Sequence, residues 1–254
     1  MAREDEFKSR NVYNRIAKIY HAARIRKELF FNEFLEMPAM LSVLGKIRGK
    51  TILDVGCGTG IYAKILKRGG AKVCGIDISP KMIDIAKKEV KGVDFQVGSA
   101  YNLPYKAESF DVAISPLVLE HLSHPKKAFR EVYRVLKRHG TFIFSIGNPV
   151  TAVTARIPGK PKYERKRIFL DYFNEGLQYR RWNRSKTALG KHTVKMPAWH
   201  FTYQTWIRMI LSSGFAIEDY VDAKPIKAGK KANPDAYALT SFLPYFCIFK
   251  LRKP

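Results

Sequence analysis

The sequence predicts an α/β protein: a largely parallel sheet with helices on both faces. Two observations carry that expectation. Short apolar runs alternate with single amphipathic segments between residues 51 and 146, and a glycine-rich bend separates the first run from the first segment. The runs are 51–55, 72–77, 93–97, 110–115 and 141–146, and the helical segments between them are 61–68, 80–90 and 125–137. Pro80 and Pro125 follow Ser79 and His124, where the first turn of a helix tolerates proline. Ahead of this core, residues 1–50 read as helical. Asn11 is placed to cap a segment through Ile16, Ala17 and Tyr20, and a second apolar-periodic stretch runs over 25–44.

After residue 146 the rhythm breaks. The stretch 147–200 opens on Gly147-Asn148-Pro149, and its residues 151–200 hold twelve Lys and Arg against three Asp and Glu. It is expected to be a helical cap inserted over the mouth of the sheet. A helix over 202–213 ending at Gly214 and two closing strands, 215–221 and 245–251, complete the chain. The expected organisation is one domain over 1–254: N-terminal helices (1–50), a ligand-binding core (51–146), the cap (147–200) and a closing helix and strands (201–254).

Composition narrows the function. With 46% hydrophobic and 27% charged residues in 254, wholesale disorder is excluded. No apolar run approaches the ~20 residues a membrane helix needs. The charged start, Ala2-Arg3-Glu4-Asp5-Glu6, lacks a signal peptide's apolar core. Three cysteines, Cys57, Cys74 and Cys247, show no metal-type spacing, so no metal and a cytoplasmic setting are expected. The net charge of +24 favours an anionic partner or surface.

The sharpest local signal is Ile52-Leu53-Asp54-Val55-Gly56-Cys57-Gly58-Thr59-Gly60. Glycines at alternating positions let the backbone turn tightly, and the helix that follows directs its positive end at a ligand. Seventeen residues on, Asp77 ends the second strand, where a carboxylate meets a ribose. Gly58 to Ala63 also satisfies a dinucleotide fingerprint, G-x-G-x-x-A. Asp54 discriminates. It would repel a pyrophosphate and suits the ammonium and sulfonium of S-adenosylmethionine.

These residues resemble the class I S-adenosylmethionine-dependent methyltransferases of the methyltransferase-11 type. The resemblance extends through Phe95–Ala100, Ser109–Ile114, Leu117–Leu122 and Val135–Thr141, and more loosely through His200-Phe201-Thr202. It implies a Rossmann-like three-layer αβα sandwich with a seven-stranded, mostly parallel sheet whose last strand is antiparallel. It also implies S-adenosylmethionine as cofactor and S-adenosylhomocysteine as product. By the same resemblance Asp54 and the amides of Gly56, Gly58 and Gly60, in the loop with Cys57 and Thr59, hold the methionine moiety. Asp77 takes the ribose, Ile78 and Met82 pack on the adenine, and Ser99 and Ala100 meet its edge. Pro116 and Leu117 line the methyl-donor end, and Tyr13 and Tyr20 close over the cofactor. Ser99 departs from the family, which usually has an acid there.

Two histidines are candidate bases. His121 follows the fourth strand at the edge where open α/β sheets bind ligands, and His200 ends the cap. Alternatively, His121 caps its own helix and His200 is a structural anchor of the cap. A small-molecule acceptor between sheet edge and cap is the first expectation. The alternatives are RNA on the basic surface or a lipid or quinone-type acceptor at an anionic membrane. Both draw on cap aromatics and cations such as Tyr163, Arg165, Lys166, Trp182 and Arg184. Ser115-Pro116-Leu117-Val118 stands where an Asn-Pro-Pro-Tyr motif would mark methylation of a base amine.

Overall fold

The computed structural model describes residues 2–156, 167–182 and 194–254. A single helix, α1 (Ala2–Ile25), runs straight through Asn11. The expected cap at Asn11 is therefore corrected. Glu4 and Asp5 supply the negative charge that the first turn favours, and Asn11 lies in mid-helix. The stretch 25–44 is not one helix either. The chain turns at Lys27, which adopts φ 55°. It then enters a π-helical turn, Asn32–Glu36, that runs into α2 (Met37–Leu44).

The alternating core follows the expected order: β1 (Thr51–Val55), α3 (Ile61–Arg68), β2 (Lys72–Asp77), α4 (Pro80–Glu89), β3 (Asp94–Val97) and β4 (Phe110–Pro116). A short 3-10 turn (Leu119–His121) leads to α5 (Pro125–Val135) and β5 (Leu136–Gly147). Helix α5 ends two residues early because Leu136 already pairs with Phe110 of β4. Within the insert lie α6 (Pro149–Ala152), β6 (Thr154–Arg156), β7 (Arg167–Phe169), β8 (Gly176–Trp182) and β9 (Val194–His200). The chain closes with α7 (Tyr203–Leu211), β10 (Ala216–Asp222), α8 (Ala228–Ala232), α9 (Pro234–Thr240) and β11 (Phe246–Arg252).

The seven-stranded sheet has the order β10-β11-β5-β4-β1-β2-β3. Strands β1 to β5 are parallel, and β11 runs antiparallel to both neighbours, as expected. Side-chain parity splits the core in two. Leu53, Phe142 and Phe144 face α5 and α7, packing with Phe129 and Trp206, while Ile52 and Ile143 face α3 and α4 with Leu66 and Ala86. Each fully buried side chain of this kind contributes about 1.5–3 kcal/mol.

The expected helical cap is corrected. Apart from α6, the described residues of 147–200 form two antiparallel pairs, β6–β7 and β8–β9. Strand β9 exposes Lys195 and buries Val194, Met196, Pro197, Ala198 and His200. The covered face meets α1, where Ile16 and Ala17 pack between Met82 of α4 and Met196 of β9.

That packing lays α1 across the loops that follow β1 to β4, and polar contacts fix it to each of them. His21 Nδ1 lies 3.0 Å from Thr59 Oγ1, and Asn14 Oδ1 accepts from Ser79 Oγ at 2.7 Å. Glu6 accepts from Ser99 Oγ. Asp5 Oδ2 accepts from Tyr101 OH and from Ser123 N, each at 2.6 Å.

Candidate active site

Beneath α1, at the carboxyl ends of the parallel strands, lies a cavity of about 550 Å³. Asp54, near the end of β1, is 1% exposed, lines this cavity, and has no hydrogen-bond partner for either carboxylate oxygen. Burial, reinforced by the charges of Asp77 and Glu36, pushes its pKa up to about 8. An ionised carboxylate in such a place is costly unless a cation or donors meet it.

The glycine bend begins one residue after β1. Gly56 adopts φ 76°, and a Cβ there would meet Val118 Cγ2 at 2.2 Å, so glycine permits the close approach of the loop after β4. Its N–H donates to Ile76 O at 2.7 Å, and Gly60 N–H donates to Cys57 O at 3.0 Å. Gly58 N–H donates to Asp77 Oδ2 at 2.9 Å. The expectation that these three amides hold the methionine moiety is therefore corrected: all three bonds shape the bend itself. Gly60 does not line the cavity, whereas Gly56, Cys57, Gly58 and Thr59 do.

Asp77 ends β2 on the cavity wall. Its Oδ1 accepts from Ser79 N at 2.8 Å, so the carboxylate is held by two backbone amides. Burial raises its pKa to about 6 against the lowering effect of those amides. Ile78 and Met82 continue the wall, as do Gly98 and Ala100 after β3. Ser99 does not. Its hydroxyl accepts from Tyr101 N at 2.9 Å and donates to Glu6, so a carboxylate from α1 reaches the cavity where Ser99 was expected to face it.

Pro116 and Leu117 line the cavity after β4. Leu117 adopts φ 55°, a costly conformation for a residue with a side chain, and its N–H donates to Ser145 O at 3.1 Å and Ser145 Oγ at 3.0 Å. Ser145 Oγ in turn donates to Glu36 Oε1 at 2.6 Å, and Tyr62 OH donates to Glu36 Oε2 at 2.9 Å. Glu36 is 1% exposed, and burial raises its pKa. It was not anticipated, although Glu33 and Glu36 stand three residues apart in an otherwise apolar stretch.

His121 lines the cavity beside Tyr13 and Tyr20. Its Nδ1 lies 2.6 Å from Pro197 O, and a carbonyl oxygen only accepts, so the ring proton sits on Nδ1. Nε2 is then the basic nitrogen and accepts from Tyr13 OH at 3.1 Å. The insert thus sets the tautomer of a cavity histidine.

His200 is corrected. It is 2% exposed, does not line the cavity, and donates from Nε2 to Tyr172 O at 2.8 Å. Its role is to hold the 172 turn against the start of α7. His200→Ala is expected to lower stability by about 1–3 kcal/mol while leaving cofactor affinity within twofold. Urea unfolding and calorimetric titration check the two halves.

Tyr163, Arg165, Lys166 and Arg184 lie outside the described residues, as does the nucleic-acid or membrane role drawn from them. Among the described residues no group of acids, histidines and cysteines is placed to hold a metal, and no helix is long and apolar enough to cross a membrane.

A sheet of this order with an acid-flanked glycine bend under a covering helix defines a nucleotide-cofactor methyltransferase class, and comparison with known proteins agrees. The methyltransferase-domain model of the methyltransferase-11 type matches residues 53–144. An uncharacterized protein of Haemophilus influenzae is 30% identical over 237 residues, 87% of this chain and 88% of that one. The solved S-adenosylmethionine dependent methyltransferase from Mesorhizobium loti is 29% identical, with a TM-score of 0.69 over 85% of this chain and 97% of its own. The demethylmenaquinone methyltransferase of Thermotoga maritima is 35% identical over 106 residues, 41% of this chain and 46% of that protein. The chain belongs to the class I S-adenosylmethionine-dependent methyltransferases, in the methyltransferase-11-type family.

Proposed function

We propose that this enzyme methylates a small-molecule acceptor bound in the same cavity as S-adenosylmethionine. One observation carries the reading: the buried carboxylate of Asp54, without a partner and facing the cavity, fits the ammonium group of that cofactor. Asp77 would hold the ribose, with Ile78, Met82 and Ala100 against the adenine. Glu6 would stand at the adenine edge in place of the acid the family usually has at Ser99. Pro116 and Leu117 would border the methyl-donor end.

When bound, the cofactor supplies an electrophilic methyl carbon on a positive sulfur. The protein's own contribution is alignment and exclusion of water, to which α1 is central because it covers all four loops. His121 Nε2 is positioned to take a proton from an acceptor, with Tyr13 OH as its present partner.

Labelled methyl transfer into a cell extract, fractionated into RNA, lipid and small-molecule pools, tests the reading. Label is expected in the small-molecule pool. Label concentrated in RNA or lipid contradicts it.

A further inference from the structure

The chain carries a net charge of +24, yet its cavity has the opposite character. Among the described residues, six carboxylates line it: Glu6, Glu28, Glu36, Asp54, Asp77 and Glu120. Arg24 is the one Lys or Arg among the described lining residues. Its guanidinium is already committed, through Nε to Glu33 and through Nη1 to Tyr20 OH at 2.9 Å. Lysines and arginines dominate the chain, so the inversion belongs to this cavity and not to overall composition.

The wall also carries a group of aromatic side chains. Phe30 and Phe31 precede the π-helical turn, and Tyr245 and Phe246 stand at the start of β11. Phe31 packs on Tyr245 with ring centroids 5.0 Å apart and on Phe30 at 5.6 Å. Glu36 enters from the π-helical turn, a form of backbone often found at functional sites. Carboxylate and aromatic faces together suit an organic cation, since the ring faces attract positive charge as well as hydrocarbon. An anionic acceptor would lose its water and meet several carboxylates, with no uncommitted Lys or Arg among the described lining residues to offset them.

We propose that the acceptor is a small amine with an apolar or aryl body, recognised as its ammonium between Glu36 and the Phe30, Phe31, Tyr245 and Phe246 wall. The proposal rests on the methyltransferase reading and adds the substrate class to it. An ammonium has no lone pair, so it must first release one proton, which His121 Nε2 would take in exchange for its present hydrogen bond from Tyr13 OH. The recovered nitrogen pair then forms the new N–C bond as the S–C bond breaks with its electrons remaining on sulfur. The product leaves as the methylated ammonium.

The test titrates the full chain, saturated with S-adenosylhomocysteine, with three probes of one shape: 2-phenylethylamine, 2-phenylethanol and phenylacetate. The amine is expected to bind at least 10-fold tighter than the alcohol, with phenylacetate weakest. In Glu36→Gln the preference for amine over alcohol is expected to fall at least 10-fold. The amine proposal alone is overturned if S-adenosylhomocysteine binds but the alcohol or the acid is preferred, if no probe binds, or if the variant keeps the wild-type preference. Failure of S-adenosylhomocysteine to bind overturns the underlying reading instead.

Discussion

Asp54→Asn is expected to weaken S-adenosylhomocysteine binding about 100-fold or more and at the same time to stabilise the ligand-free protein. Asp54 is 1% exposed and its oxygens are unpartnered, so its ionised form opposes folding until a cation arrives. Its folded-state pKa, about 8, lies above the ordinary carboxylate value of 3.8. The folded state therefore holds this proton more tightly than the unfolded chain. The resulting stability is fully present below about pH 4 and is lost as pH rises through about 8. Asparagine has no proton to lose. The advantage of the variant should thus grow as pH rises from about 4 and level off above about 8. Urea unfolding at pH 5 and pH 9 reads the stability, and calorimetry reads the affinity. Equal cofactor affinity in the two proteins would remove Asp54 from the site.

Removing Asp77 acts on both shape and recognition. Its carboxylate accepts from Gly58 N and Ser79 N, so it ties the glycine bend to the start of α4. Asp77→Ala leaves two amides without their acceptor, which costs about 1–3 kcal/mol each where they are cut off from water. Loss of detectable S-adenosylhomocysteine binding is expected, with faster amide exchange across residues 56–60 and 78–82. A variant that binds like the wild type would show that the ribose is held elsewhere.

The parts of this molecule legible in the sequence are those in which one physical rule acts alone. Strands buried on both faces read as apolar runs, and β1 and β2 were bounded to the residue. The positions of Asp54 and Asp77 followed because a glycine bend after β1 leaves little choice about which side chains end at the same edge. The glycine amides were misread because Asp77 and the carbonyls of Cys57 and Ile76 compete for them, which spacing along the chain does not reveal.

Tertiary partners decided the rest. Strand β9 lies in a basic, aromatic stretch with no clear period, and its burial comes from α1, far away in sequence. His121 and His200 looked alike as candidates, yet one lies against Tyr13 at the cavity and the other against the Tyr172 carbonyl. Glu36 stood in an apolar stretch that read as plain helix, and only the fold brings Ser145 and Tyr62 to it. The basic composition pointed outward to anionic partners. The cavity has the opposite sign, which linear charge counting does not detect.

Asp54 is a buried acid placed to meet the ammonium of a nucleoside cofactor. Calorimetric titration of the full chain with S-adenosylhomocysteine at pH 7, in two buffers of different ionisation enthalpy, measures this directly. Saturation at one site per chain is expected, with net release of protons as Asp54, whose pKa burial raises, becomes ionised. Binding of NADH in place of S-adenosylhomocysteine, or binding with no proton exchanged, would contradict it.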